Sequence, residues 1–277
     1  MGADRNGSAI DVQALAAEAL SVLGTGRQIP PFSARFPGLD LATGYRAAAA
    51  VRQLRTARGE KPVGRKIGFT NRTLWAQYGV FAPIWGYVYD RTVRDLAASG
   101  HTFSLAGLAE PLIEPEIVFG LGAAPPPGSD EAALLDCIDW VAHGFEVVHS
   151  IFPGWKFAAA DTVTAFGMHG ALLIGPRHPV AARKKEWLAT LPTFDIELSR
   201  DGSVADRGRG ANVLDGPLSA LRHFNDLLAA EKCGPPLAAG EIVTTGTLTR
   251  ALPVAAGQTW STELTGIALE GIRVRFG

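Results

Sequence analysis

The 277 residues are 47% hydrophobic and 19% charged, a balance that excludes a disordered chain and suffices for one large core or two modest ones. Lysine and arginine number 26 against 27 acidic residues, so the formal charge of -1 leaves no basic field for nucleic acid or anionic lipid, and a small-molecule partner is favoured by elimination. Cys137 and Cys233 lie far apart with no CxxC and no metal spacing, as expected for buried thiols in a reducing compartment.

The polar start MGADRNGSAIDVQ has no apolar signal core, and Asn6 breaks the myristoylation pattern. No apolar run approaches the ~20 residues of a membrane span, so a cytoplasmic protein without membrane contact is expected. Val12, Leu15, Ala16, Ala19 and Leu20 form a helical stripe from Asp11 to Leu23, stopped by Gly24 and Gly26. A proline-bearing connector leads to Asp40, the N-cap of a second helix from Leu41 to Arg58. A short third helix is predicted at Arg72 to Tyr78, closed by Gly79. Residues 1–80 thus read as a helical cap and 81–277 as a β-rich core.

From Ile113 the pattern changes to short β-like runs: Glu114 to Leu121, Phe145 to Ser150, Gly170 to Ile174, Phe194 to Arg200, Glu241 to Thr245 and Ile267 to Phe276. Asp201-Gly202 is a hairpin signal. Two helices interrupt these runs, one at Asp130 to Ala142 and one opened by Pro217 at its first position. Strands and helices do not alternate strictly, which predicts α+β over a doubly wound sheet.

Glu114-Pro115-Glu116 is the first informative cluster, because a strand sends alternate side chains to one face and so sets both carboxylates together, with Ile113, Pro115 and Ile117 toward the core. Two adjacent carboxylates repel as water is excluded and call for protons, a lysine or a hard cation. A solvated strand face fits the same spacing. Glu146 opens the next β-like run among apolar neighbours, where a bare carboxylate costs several kcal/mol; it fits either the third ligand of a magnesium-type oxygen site or an arginine salt bridge. Lys66, in the glycine-bracketed Gly64 to Gly68, is placed either near carboxylates or in a solvated turn. Lys156 is flanked by Trp155 and Phe157, which suggests a packed stem and a directed ammonium. Thr244-Thr245-Gly246-Thr247 offers hydroxyls and backbone N–H groups to an anion, or simply ends a strand. His143 and His149 show no zinc spacing and read as structural. There is no GxSxG, Walker loop or complete GxGxxG.

Taken together, Ile29-Pro30-Pro31-Phe32, Gly64 to Thr70, Glu114 to Ile117, Phe145 to Val148, Trp155-Lys156, Asp161-Thr162-Val163 and Gly240 to Thr247 resemble, nearly end to end, the 2-keto-4-pentenoate hydratase and 4-oxalocrotonate decarboxylase branch of the fumarylacetoacetate hydrolase superfamily. The resemblance implies a mixed β-roll or sandwich core behind amino-terminal helices, assembled as a homo-oligomer. It implies a divalent cation, Mg2+ or Mn2+, on Glu114, Glu116 and Glu146, chelated by a 2-oxo acid whose enolate the metal stabilises. Lys66 then serves proton transfer or substrate pairing, and Lys156, with Thr245, Gly246 and Thr247, meets the oxo acid's oxygens. The reaction expected is a lyase step of aromatic-compound catabolism, hydration or decarboxylation of a 2-oxo or 2-hydroxydienoic acid.

The sequence departs from that pattern where hydratases of the branch often carry an acid before the aromatic-glycine pair; here Ile84 precedes Trp85-Gly86. Asn71 replaces a usual serine, and His149 stands where aspartate is common. Decarboxylation therefore stays open beside hydration. A C–C hydrolase of acylpyruvate type is disfavoured because residues 1–60 contain no histidine for a lid base; a non-catalytic 2-oxo acid-binding subunit is the further alternative.

Overall fold

Asp11 accepts hydrogen bonds from the backbone amides of Gln13 and Ala14 and so starts helix α1, Val12–Val22. The computed structural model describes residues 10–277; the polar start read from the sequence at 1–9 lies outside them. A short turn of helix α2, Phe32–Arg35, leads to α3, Leu41–Ala57, capped by Asp40 through the amide of Thr43 as predicted. The buried stripe of α1 packs with Ala47, Ala50 and Val51 of α3 into one apolar cluster, which also holds Phe32, Phe152 and Phe166. Among the described residues no helix is long and apolar enough to cross a membrane.

The strands are β1 Pro62–Gly68, β2 Ile84–Tyr89, β3 Val93–Asp95, β4 Thr102–Phe103, β5 Leu112–Leu121, β6 Ile138–Val148, β7 His169–Pro179, β8 Asp195–Arg200, β9 Ser203–Arg209, β10 Ile242–Thr244, β11 Leu252–Pro253, β12 Thr259–Thr265 and β13 Arg273–Phe276. They form two sheets. The larger runs β2-β1-β10-β5-β6-β7-β3, with β11 also on β5; the smaller runs β4-β13-β12-β8-β9. Ile113, Phe145, Val147 and Leu173 of the large sheet pack against Leu198, Trp260, Val274 and Phe276 of the small one. This is the mixed β core the sequence suggests, with both faces of β5 and β6 covered.

Helices α4 Trp75–Tyr78, α5 Glu131–Asp136, α6 Ala159–Thr164, α7 Lys184–Thr190 and α8 Pro217–Glu231 complete the chain. Asn71 caps the turn before α4, and Pro217 opens α8, whose Leu218, Leu221, Phe224 and Leu228 are buried. Asp201-Gly202 turns the β8–β9 hairpin.

Three boundaries differ from the sequence reading. The helix expected at Asp130 to Ala142 ends at Asp136, and Ile138 begins β6, because Trp140 to Ala142 pair with Val118 to Gly120 of β5 and that tertiary pairing outweighs helix pattern. The run expected from Ile267 to Phe276 is strand only at its end; Gly266, in left-handed backbone, turns the chain from β12. β1, inside the amino-terminal region read as a helical cap, is a strand of the large sheet between β2 and β10. Cys233, expected to be buried, is only partly so.

Candidate active site

Register brings the three acids together. β5 and β6 are antiparallel with Glu114 directly opposite Glu146, and alternation puts Glu116 on the same face. The three carboxylates can each present an oxygen within 4.8 Å of the others. Lys66 joins them from β1: it pairs in register with Thr244 of β10, which in turn pairs with Val118 of β5, so its ammonium reaches across β10 to 3.0 Å from Oε2 of Glu146.

Glu116 and Glu146 have no exposed surface, and Lys66 is 4% exposed. Burial works to raise the Glu146 carboxyl, but the Lys66 ammonium and the His169 hydrogen bond outweigh it and hold the group at about 2. Burial, partly relieved by Lys66, pushes Glu114 up to about 7. Burial, then the charges of Glu146 and Glu114, push Glu116 well above the usual carboxylate range, against a hydrogen bond from the Gly246 amide. Burial alone would lower the Lys66 ammonium, but the carboxylates, Glu146 foremost, raise it. One ammonium therefore faces three acids, and the carboxyls of Glu114 and Glu116 are held above their ordinary range for want of a second positive charge.

The donor set suits such a charge. All three groups offer hard carboxylate oxygens, and Oε1 of Glu116 is buried without a hydrogen-bond partner. A divalent cation on Glu114, Glu116 and Glu146 would take up that oxygen and relieve the repulsion.

His169, absent from the sequence reading, fixes Glu146 from behind. Its Nδ1 lies 2.7 Å from Glu146 Oε1 and its Nε2 lies 2.8 Å from Thr92 Oγ1. Because Glu146 is ionised and only accepts, Nδ1 carries the proton, and Oε2 alone is left to face Lys66 or a cation. A histidine at a strand start has no local spacing that announces this role. His143, read as structural, spans the Glu116 carbonyl and Thr262.

A cavity of about 220 Å³ opens beside the cluster, and Lys66, Glu114, Gly246 and Thr247 line it. Gly246 is required twice: its φ is +95°, and a Cβ there would sit 2.0 Å from the Thr70 hydroxyl. A Cβ on Gly167 would press to 3.0 Å against the Lys66 stem. Phe69, Trp155 and Met168 also line the cavity, and all three are non-glycine residues with φ between 54° and 62°. Such backbone costs ~1–3 kcal/mol per residue and gathers at binding sites.

No family model matches the chain. It is 30% identical over 257 residues to the 2-keto-4-pentenoate hydratase of Burkholderia vietnamiensis, spanning 92% of this chain and 94% of that one. The chain belongs to the family of 2-keto-4-pentenoate hydratases and 4-oxalocrotonate decarboxylases. Within that family it is 31% identical over 242 residues to the 4-oxalocrotonate decarboxylase of Pseudomonas sp. strain CF600, spanning 86% of this chain and 87% of the relative. Its backbone matches the 4-oxalocrotonate decarboxylase from Pseudomonas putida G7, complexed with magnesium and adipate, with a TM-score of 0.86 at 29% identity over 96% of this chain and 97% of that one. A fumarylacetoacetate isomerase/hydrolase-type protein from Oleispira antarctica shares the fold, with a TM-score of 0.57 at 16% identity over 78% of this chain and 94% of that one.

The remaining residues singled out from the sequence divide around the cavity of this hydratase/decarboxylase family member. Gly246 and Thr247 line it, whereas the Thr245 hydroxyl is buried and donates to the Ile117 carbonyl. Thr247 donates its own hydroxyl to Thr249 O, which leaves its lone pairs for a ligand. Lys156 is exposed and is not part of the lining, although its neighbours Trp155 and Phe157 are. The left-handed backbone at Gly154 and Trp155 turns the aromatic rings inward and the lysine out. Ile84, the apolar replacement at the strand start, lines the cavity against Gly68.

Proposed function

We propose that the chain is a divalent-metal-dependent lyase acting on small 2-oxo or 2-hydroxydienoic acids, by hydration or decarboxylation. The observation that carries the reading is the convergence of Glu114, Glu116 and Glu146 beside one lysine at the wall of a cavity. Their all-carboxylate donor set supports magnesium or manganese as the ion. When bound, that ion supplies Lewis-acid polarisation of the 2-oxo group.

The chain's own residues do the rest. His169 holds Glu146 in one orientation, and the Gly246 amide holds Glu116, so the carboxylates are set before substrate arrives. Lys66 is kept as an ammonium beside them, which suits it to pair with a substrate oxygen and to stabilise negative charge as it grows there. The Gly246-Thr247 turn forms the wall where an anionic end of the substrate would lie. Largely apolar side chains line the rest of the cavity.

The test is a magnesium-supplemented screen of 2-hydroxydienoates that follows loss of the dienol chromophore and then weighs the product. Gain of a water identifies hydration, and loss of carbon dioxide identifies decarboxylation. Undiminished turnover after exhaustive chelation, or no consumption of any 2-oxo or 2-hydroxydienoic acid, would remove the proposal.

A further inference from the structure

We infer that the substrate carries a single carboxylate, at its oxo-acid end, and an uncharged apolar tail. This rests on the 2-oxo acid reading above and narrows it. Lys66 is the one cationic side chain among the described residues lining the cavity, and it is already matched to Glu146. The cations next in sequence to lining residues are exposed or engaged elsewhere: Lys156 is exposed, Arg65 pairs with Glu241, Arg72 with Asp215 and Arg250 with Asp206.

The polar lining groups apart from Lys66 and Glu114 are neutral, and two of the three threonine hydroxyls donate elsewhere. Thr162 donates its hydroxyl to Ala159 O, Thr247 donates to Thr249 O, and Asn71 accepts from Thr73. The rest of the wall is hydrocarbon, including Leu112, Val148, Met168, Phe157 and Ile84. A second carboxylate placed there would lose its water and find no positive partner, whereas an alkyl tail would replace water at a net gain.

The apolar wall is also held deliberately. Phe69, Trp155 and Met168 present their side chains to the cavity from left-handed backbone, where ordinary residues rarely settle. Among the described residues five apolar side chains stand on such backbone, and three of them line this cavity, the other two being Phe166 and Leu214 in the core. Strained ones gathered on one cavity wall are the mark of a surface shaped for a ligand.

The experiment is calorimetric titration of the magnesium-loaded full chain with 2-oxohexanoate and with 2-oxoadipate, which differ only in a terminal methyl or carboxylate. The expected result is binding of 2-oxohexanoate about ten-fold or more tighter than 2-oxoadipate. Equal or tighter binding of 2-oxoadipate overturns this inference and leaves the 2-oxo acid reading standing. If that tighter binding disappears in Lys156→Met, the exposed lysine swings inward to serve as the missing cation. Binding of neither acid overturns the 2-oxo acid reading, and the inference falls with it.

Discussion

Replacing Lys66 by methionine keeps the stem that packs against Gly167 and deletes the charge that three carboxylates share. Lys66 and Glu146 are both buried, so their pair cannot be replaced by water. Breaking a buried pair from one side costs ~3–5 kcal/mol, and the surviving His169 bond to Glu146 argues for the lower end. With ~2 cal/mol/K of unfolding entropy per residue over 277 residues, ~3 kcal/mol corresponds to a fall of about 5 °C in Tm. The fall should appear in full in EDTA and shrink with saturating magnesium, because the cation then supplies the counter-charge. Turnover with magnesium present should drop by about 100-fold or more. Thermal melts with and without magnesium, run beside steady-state kinetics, separate the two effects. A Tm within 1 °C of the parent in EDTA, or an equal fall with and without magnesium, would refute the assignment of Lys66 as the internal counter-ion.

Glu116→Gln should act in the opposite sense: it removes a buried acid crowded by like charges, so Tm in EDTA stays level or rises while the stabilisation by magnesium disappears. His169→Gln should weaken magnesium binding by about 10- to 100-fold in calorimetry, because Glu146 loses the hydrogen bond that orients it; unchanged affinity would strip His169 of that role. Magnesium affinity should increase with pH up to about 7, since the cation must displace a proton from Glu114. The same group makes metal-free stability fall as pH rises from its ordinary 4.5 toward about 7, because the folded state holds the proton more tightly than the unfolded state across that window. Melts in EDTA at pH 5 and 7, compared for the parent and Glu114→Gln, check that sign.

Much of the site was legible along the chain. Alternation within one strand placed Glu114 and Glu116 on one face, and the apolar surroundings of Glu146 and the glycines around Lys66 marked both as unusual. Flanking aromatics marked Lys156 by the same logic, and around the left-handed turn at Gly154 and Trp155 it is the rings of Trp155 and Phe157 that line the cavity while Lys156 is exposed. His169 was invisible because its partners Glu146 and Thr92 lie 23 and 77 positions away and no local period links them.

Sequence by itself determined the helical start, the α+β character, the acids that need a counter-charge and the family, since each follows from residue type or from spacing within one element. Tertiary structure alone decided that Glu146 stands opposite Glu114, that β1 carries Lys66 across β10 to meet them, and that an apolar wall faces the result. The reason is physical. Periodicity inside a strand is written in its own residues, whereas register between distant strands is set by how all the buried faces pack at once.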